Sequence, residues 1–111
     1  MAVYVSNIVI EQGYDFNASF QLEDTRTNSP LLLDNVSAES QLRKHTGAST
    51  SVSFASTISN SEEGIVSISL TAAQSVNLKP GRYVFDVKLI SSGAEYKAVE
   101  GAALIRGGVT R

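Results

Sequence analysis

One histidine, no cysteine and eleven carboxylates are all that this 111-residue chain offers to acid–base or nucleophilic chemistry. The histidine, His45, stands between Lys44 and Thr46 where a strand runs into a turn. A general base needs an orienting partner and a shielded site, and a surface residue beside a cation has neither. The lack of cysteine excludes disulfides, thiolate metal centres and cysteine nucleophiles. Among the carboxylates, Asp24, Asp34, Glu62 and Glu63 fall in turn-forming stretches. No calcium loop of the D-x-[DN]-x-[DN]-G type is present, nor a Gly-rich phosphate loop, a G-x-S-x-G elbow or HExxH. No catalytic residue, cofactor or metal is therefore expected, and the chain reads as a non-enzyme. Asp86 and Glu100 differ from the other acids because they interrupt apolar strands. If those strands pair, both acids can flank Lys88, Lys97 or Arg82 in cross-strand ion pairs; contact with a partner is the alternative.

Surface character narrows the remaining classes. Net charge is −2 with nine basic residues, scattered except for Arg43-Lys44-His45. A nucleic-acid binder shows a basic stripe or a reading motif, so no nucleic acid is expected. No apolar run approaches the roughly 20 residues of a membrane-spanning helix, so no membrane is expected either. The N-terminus, MAVYVSNIVI, has no basic n-region or cleavage pattern, which argues against Sec-type secretion. The sequons at Asn17 and Asn35 then read as coincidences. Tyr4, Tyr14, Tyr83 and Tyr96 could form a sugar-binding platform only if two face outward together; core bodies with wet hydroxyls are the plainer expectation.

The elements behind these residues are strands. A chain of this length is one domain, residues 1–111, and can bury roughly 65% of its unfolded surface. Period-two alternation runs through nearly all of it. Val3 to Ile10 is a strand apolar on both faces. Phe16, Ala18, Phe20 and Leu22 share one face of the next. Val36, Ala38, Ser40 and Leu42 form another face, then Val52, Phe54, Ser56 and Ile58, then Val66, Ile68 and Leu70. Tyr83, Phe85, Val87 and Leu89 follow, and after a Ser91-Ser92-Gly93 turn come Tyr96, Ala98, Ala102 and Leu104. Gly101 predicts a bulge or a close backbone approach. Thr71-Ala72-Ala73-Gln74 has capping-box spacing, predicting a short helix over Thr71 to Asn77 that drops Val76 and Leu78 onto the core. About seven antiparallel strands with one short helix make an all-β sandwich, with Phe20, Leu70, Tyr83 and Phe85 largely buried. Residues 106–111 read as a polar, Gly-rich arm.

From Gly64 to Leu89 the pattern becomes specific. Gly64, Leu70-Thr71-Ala72-Ala73, Leu78 and Pro80-Gly81-Arg82-Tyr83-Val84-Phe85-Asp86 occur in order, followed by Glu100-Gly101 and Val109-Thr110-Arg111. Upstream, Gly13 and Asp15 precede Phe16, Phe20 and Leu22, and Gln41-Leu42-Arg43-Lys44-His45 follows. This series resembles an immunoglobulin-like phage module found at the N-termini of baseplate upper and tail-fibre proteins and as a stand-alone virion protein of T4-like cyanophages. The resemblance implies an immunoglobulin-like β-sandwich located in the virion and assembled in the host cytoplasm. It would be associated with neck, tail or baseplate and would partner other phage structural proteins and copies of itself. A host-glycan-binding adhesin-like module and a head-decoration protein are the alternatives.

The first strand gives that role a place. Edge strands are normally blunted by Lys, Pro or a bulge, and Val3 to Ile10 contains no charge and no proline. Either this strand or the opposite end, Leu104 to Arg111, is therefore expected to be covered by another subunit, with Val3, Val5, Ile8, Arg106, Val109 and Arg111 as the expected assembly interface. Coverage of both faces within the monomer is the alternative.

Overall fold

The computed structural model describes residues 4–24, 29–30, 33–49 and 51–107. In chain order the elements are β1 (Tyr4–Val5), β2 (Ile8–Glu11), β3 (Phe16–Gln21), β4 (Glu23–Asp24), β5 (Ser29–Pro30), β6 (Val36–Arg43), β7 (Val52–Asn60), β8 (Ile65–Leu70), α1 (Ala72–Ser75), β9 (Gly81–Ser91) and β10 (Ala94–Arg106). β4 and β5 form a small separate ribbon, and the other strands form one sheet in the order β1-β10-β9-β6-β7-β8-β3, with β2 also on β10.

The sheet folds back on itself through β7. Val52 to Phe54 pair with Leu42 to Ser40 of β6, whereas Ala55 to Asn60 pair with β8. One strand thus belongs to both layers, and their inner faces meet in a single core. The Phe20 ring on β3 stacks on Phe85 of β9 with centroids 6.3 Å apart, and Phe54 of β7 meets Phe85 edge-on at 6.4 Å. Ile10, Leu42, Val66, Ile68, Val87, Val99, Ala103 and Ile105 are almost fully excluded from solvent. Leu70 and Phe85 are buried as expected, while Phe20 and Tyr83 are only half-buried against the cluster.

The expectation of a wholly antiparallel sheet is corrected at the N-terminus. β1 and β2 both run parallel to β10, with Tyr4 beside Val99, Val5 beside Glu100 and Ile8 to Glu11 beside Ala103 to Arg106. The register is the same on both sides of Ser6-Asn7, so this is one strand with a local break. Its cause is visible in the bonding. Ser6 N–H still donates to Glu100 O (2.9 Å), but the Asn7 side chain, not a carbonyl of the strand, accepts from Ala102 N–H (3.2 Å). The Ser6 carbonyl instead lies over Gly101, where a Cβ would come within 1.7 Å of its oxygen. Gly101 is therefore a point of close backbone approach.

A second correction concerns β10. The ladder to β9 slips between Lys97 and Val99, and a bulge reverses which side chains face inward. Val99, Ala103 and Ile105 therefore fill the core, along with Ala98 at the bulge. The expected inward face of Tyr96, Ala98, Ala102 and Leu104 survives only at Ala98; Tyr96 and Leu104 are 49% and 41% exposed. β9 and β10 are joined by Ser92 and Gly93, both at positive φ (49° and 83°), which gives the two-residue hairpin its required twist.

The helix is one turn, shorter than predicted, and it turns Val76 out to 54% exposure while Leu78 is buried. It serves as a clamp on the β2–β3 turn. Buried Ser75 donates to Tyr14 O (2.9 Å) and accepts from Gly13 N–H (3.0 Å). Asp15 accepts from Ala72 N–H (2.7 Å), and Gln12 donates to Leu78 O (2.7 Å). Both halves of the capping box form: Gln74 N–H donates to Thr71 Oγ1 (3.2 Å) and Thr71 N–H to Gln74 Oε1 (3.0 Å). Thr71→Ala should cost about 1 kcal/mol, read as a lower urea midpoint at unchanged slope. An unchanged midpoint would mean that the tertiary clamp alone holds the turn.

Candidate functional site

The outward face of β10, β9 and β6 collects most of the charges that the sequence placed within strands. Successive rows cross it. Val5, Glu100, Asp86 and Gln41 lie side by side, next to Lys97, Lys88 and Glu39. The face forms an open trough of about 700 Å³. Lys88 reaches Glu95 at 3.0 Å and Glu39 at 3.5 Å. The Glu95 carboxylate is the main cause of a Lys88 pKa above the ordinary 10.5.

The ion pairing expected of Asp86 and Glu100 takes a different form. The two acids face each other directly across the ladder, as do Lys88 and Lys97. Like charges directly opposite are unfavourable, and relief comes from along the strand: Lys97 reaches Glu100 at 3.6 Å. Asp86 has no ion pair among the described residues; its backbone carbonyl accepts from the buried Ser40 hydroxyl at 2.6 Å. An open, solvated row of this kind holds no shielded acid–base pair.

His45 is exposed, and its carbonyl accepts from Ala48 N–H in the turn (3.0 Å). Of the basic cluster, Arg43 is spent on Ala48 O (2.6 Å) and Gln41 (2.9 Å). Lys44 lies over the Tyr83 ring, 4.7 Å from its centre. Tyr14 and Tyr96 are well exposed, but Tyr96 lies near the start of β10 and Tyr14 in the turn past its far end, so they share no platform.

The edge strand is the site that remains. Odd and even residues of β1–β2 divide its hydrogen bonding. Ser6 and Gln12 donate to β10 carbonyls, so in a parallel ladder Ile8 and Ile10 bond the same way. The N–H and C=O groups of Val5, Asn7 and Val9 then point away from β10, where no further strand pairs among the described residues. Val5 is 75% exposed and Val9 49%, with Leu104 beside Val9 on the same outward face. Val5 is available, but Ile8 is buried in the domain's own core because it alternates inward with Ile10. Arg106 is exposed and pairs with Glu11 at 3.4 Å. Val3, Val109 and Arg111 lie outside the described residues. Val9 and Leu104 lie within the stretches expected to be covered but were not singled out; Gly101 carried the signal for the backbone crossing, but nothing in the alternation marked the bulge that turns Leu104 outward.

No protein-family profile matches the chain, and no curated protein matches it. Similar solved structures include Listeria monocytogenes InlP (18% identity, TM-score 0.48, covering 91% of this chain and 26% of that one). Another is a family 123 glycoside hydrolase from Clostridium perfringens (16%, 0.44, 100% and 24%). A third is the extracellular fragment of novel immune-type receptor 11 from Ictalurus punctatus (9%, 0.40, 100% and 90%). This chain spans about a quarter of the first two.

Proposed function

We propose that this chain is a non-catalytic structural subunit of a tailed-phage virion, working through protein–protein contacts at the neck, tail or baseplate. The observation that carries the assembly part is the β1–β2 edge: uncharged from Tyr4 to Ile10, unpaired on its outer side among the described residues, and flanked by exposed Val5, Val9 and Leu104. Edges of this kind invite another chain. The virion part rests on the ordered motif series from Gly13 to Arg111.

The finer fold reading, an immunoglobulin-like sandwich, belongs to the same proposal. Supporting it are the crossing of β7 between layers and the pairing of first and last strands. A third support is the hydroxyl of Tyr83, near the start of β9, donating to Lys79 O four residues upstream (2.9 Å), the arrangement of a tyrosine corner. A glycan-binding role draws no support from Tyr14 and Tyr96 at opposite ends of the domain.

Mass spectrometry of purified particles tests the reading directly. The chain should be present in a fixed number of copies per particle that matches a symmetry of the tail or baseplate. Its absence from intact particles would end the proposal.

A further inference from the structure

We propose that the β2 edge pairs with the same edge of a second copy of this chain, antiparallel about a twofold axis through Val9. This inference rests on the assembly reading above and names the partner and the register.

The edge that is free among the described residues is short and symmetric. At one end it stops at the Ser6–Asn7 break, where Asn7 has turned its side chain onto Ala102. At the other it stops at Glu11, whose carbonyl accepts from Tyr14 N–H (3.2 Å) as the chain turns away. Between them lies Asn7 to Glu11, with Val9 at its centre. Val9 is also a residue whose N–H and C=O point outward, so two copies can exchange both bonds at Val9.

Charge and polarity agree with this register and oppose its neighbours. With Val9 opposite Val9 of the mate, Glu11 faces Asn7, an amide, and each Glu11 keeps its own Arg106. Slipping the twofold toward Glu11 would bring the two carboxylates together, which is unfavourable. On the outward face, Leu104 and Val9 of one copy continue into Val9 and Leu104 of the other, covering apolar surface now exposed. On the inward face, Ile8 and Ile10 stay in each copy's own core. The opposite edge, β3, lacks charge, but its outward face carries Asn17, Ser19 and Gln21, so pairing there would cover little apolar surface. A five-residue edge buries less than a standard interface, placing the contact in the weak class that repetition in an assembly strengthens.

The test is sedimentation velocity from about 10 µM to about 1 mM, the range suited to a small interface, with two kinds of variant. Val9→Lys changes a half-exposed residue and should leave the melting temperature nearly unchanged. It should weaken self-association by roughly tenfold or more, because it sets two like charges face to face. Since the chain has no cysteine, Val9→Cys should cross-link to its mate under mild oxidation. Directly opposed residues lie about 5.5 Å apart at Cα, within the disulfide range of about 4.4–6.8 Å. Leu104→Cys, three strand spacings or about 14 Å from its mate, should not. A wild-type chain monomeric at about 1 mM, or a dimer indifferent to Val9→Lys, overturns the pairing. So does loss of the dimer by Val9→Lys without cross-linking of Val9→Cys, the result expected of head-to-tail contact between β2 and β3. In each case presence of the chain in particles would keep the assembly reading. Conversely, a Val9-linked dimer absent from particles would leave this pairing standing alone.

Discussion

Replacing Gly101 with alanine is expected to cost about 3 kcal/mol, the upper range for forcing atoms into a packed site, and to loosen the N-terminal edge before the rest of the domain. The added methyl would stand 1.7 Å from the Ser6 oxygen and 2.7 Å from the Ser6 carbonyl carbon. A flexible side chain could rotate away, but a carbonyl held by Ser6 N–H on Glu100 and by Asn7 on Ala102 cannot. Relief therefore requires β1 and the start of β2 to lift from β10. Urea unfolding measures the total cost, and hydrogen exchange locates it: the Ser6 and Ile8 amides should lose protection while Val87 and Ile68 keep theirs. A cost under about 1 kcal/mol would mean that Ser6 does not cross Gly101.

Phe85→Ala should be equally severe, at about 3–5 kcal/mol for a buried phenylalanine. Phe85 is 4% exposed and lies between the layers, in contact with Phe20 of β3 and Phe54 of β7. Its loss leaves a cavity where three strands converge. Phe20→Ala should cost clearly less, because Phe20 is half-buried at the margin of the same cluster. Denaturant midpoints of the two variants check the order. If Phe20→Ala proved the more damaging, the centre of the core would lie on β3, not β9.

The alternation in the sequence made the inward faces of β3, β6, β8 and β9 legible, because each keeps period two without interruption. It failed in β10, where the slip at Ala98 inserts one residue and reverses everything after it. Leu104 and Val99 are of similar apolarity, so pattern alone could not say which was inside. The direction of the first strand was equally hidden. An apolar strand pairs as well parallel as antiparallel in composition, and only the long-range meeting of Ser6 with Gly101 fixes it. The edge as a candidate interface was legible from missing charge. Which of its residues stay exposed was legible only in part: Val5 was named, but exposure of Val9 and burial of Ile8 depend on how the strand sits against β10. The helix start was readable from Thr71 and Gln74, but its early end was not, because the chain is recruited at Ser75 by Gly13 and Tyr14, about sixty positions away.

The parallel alignment of β1–β2 with β10 bears on how the domain carries load. Because the two strands run the same way, the chain enters the ladder at Tyr4 and leaves it past Arg106, at opposite ends of their shared length. Tension applied between those points slides one strand along the other. The bonds from Ser6 to Glu100 and from Gln12 to Arg106, with those between, are then stretched together. An antiparallel pair pulled from neighbouring ends would peel apart one bond at a time. The terminal strands therefore act as a shear fastening against pull along their own direction.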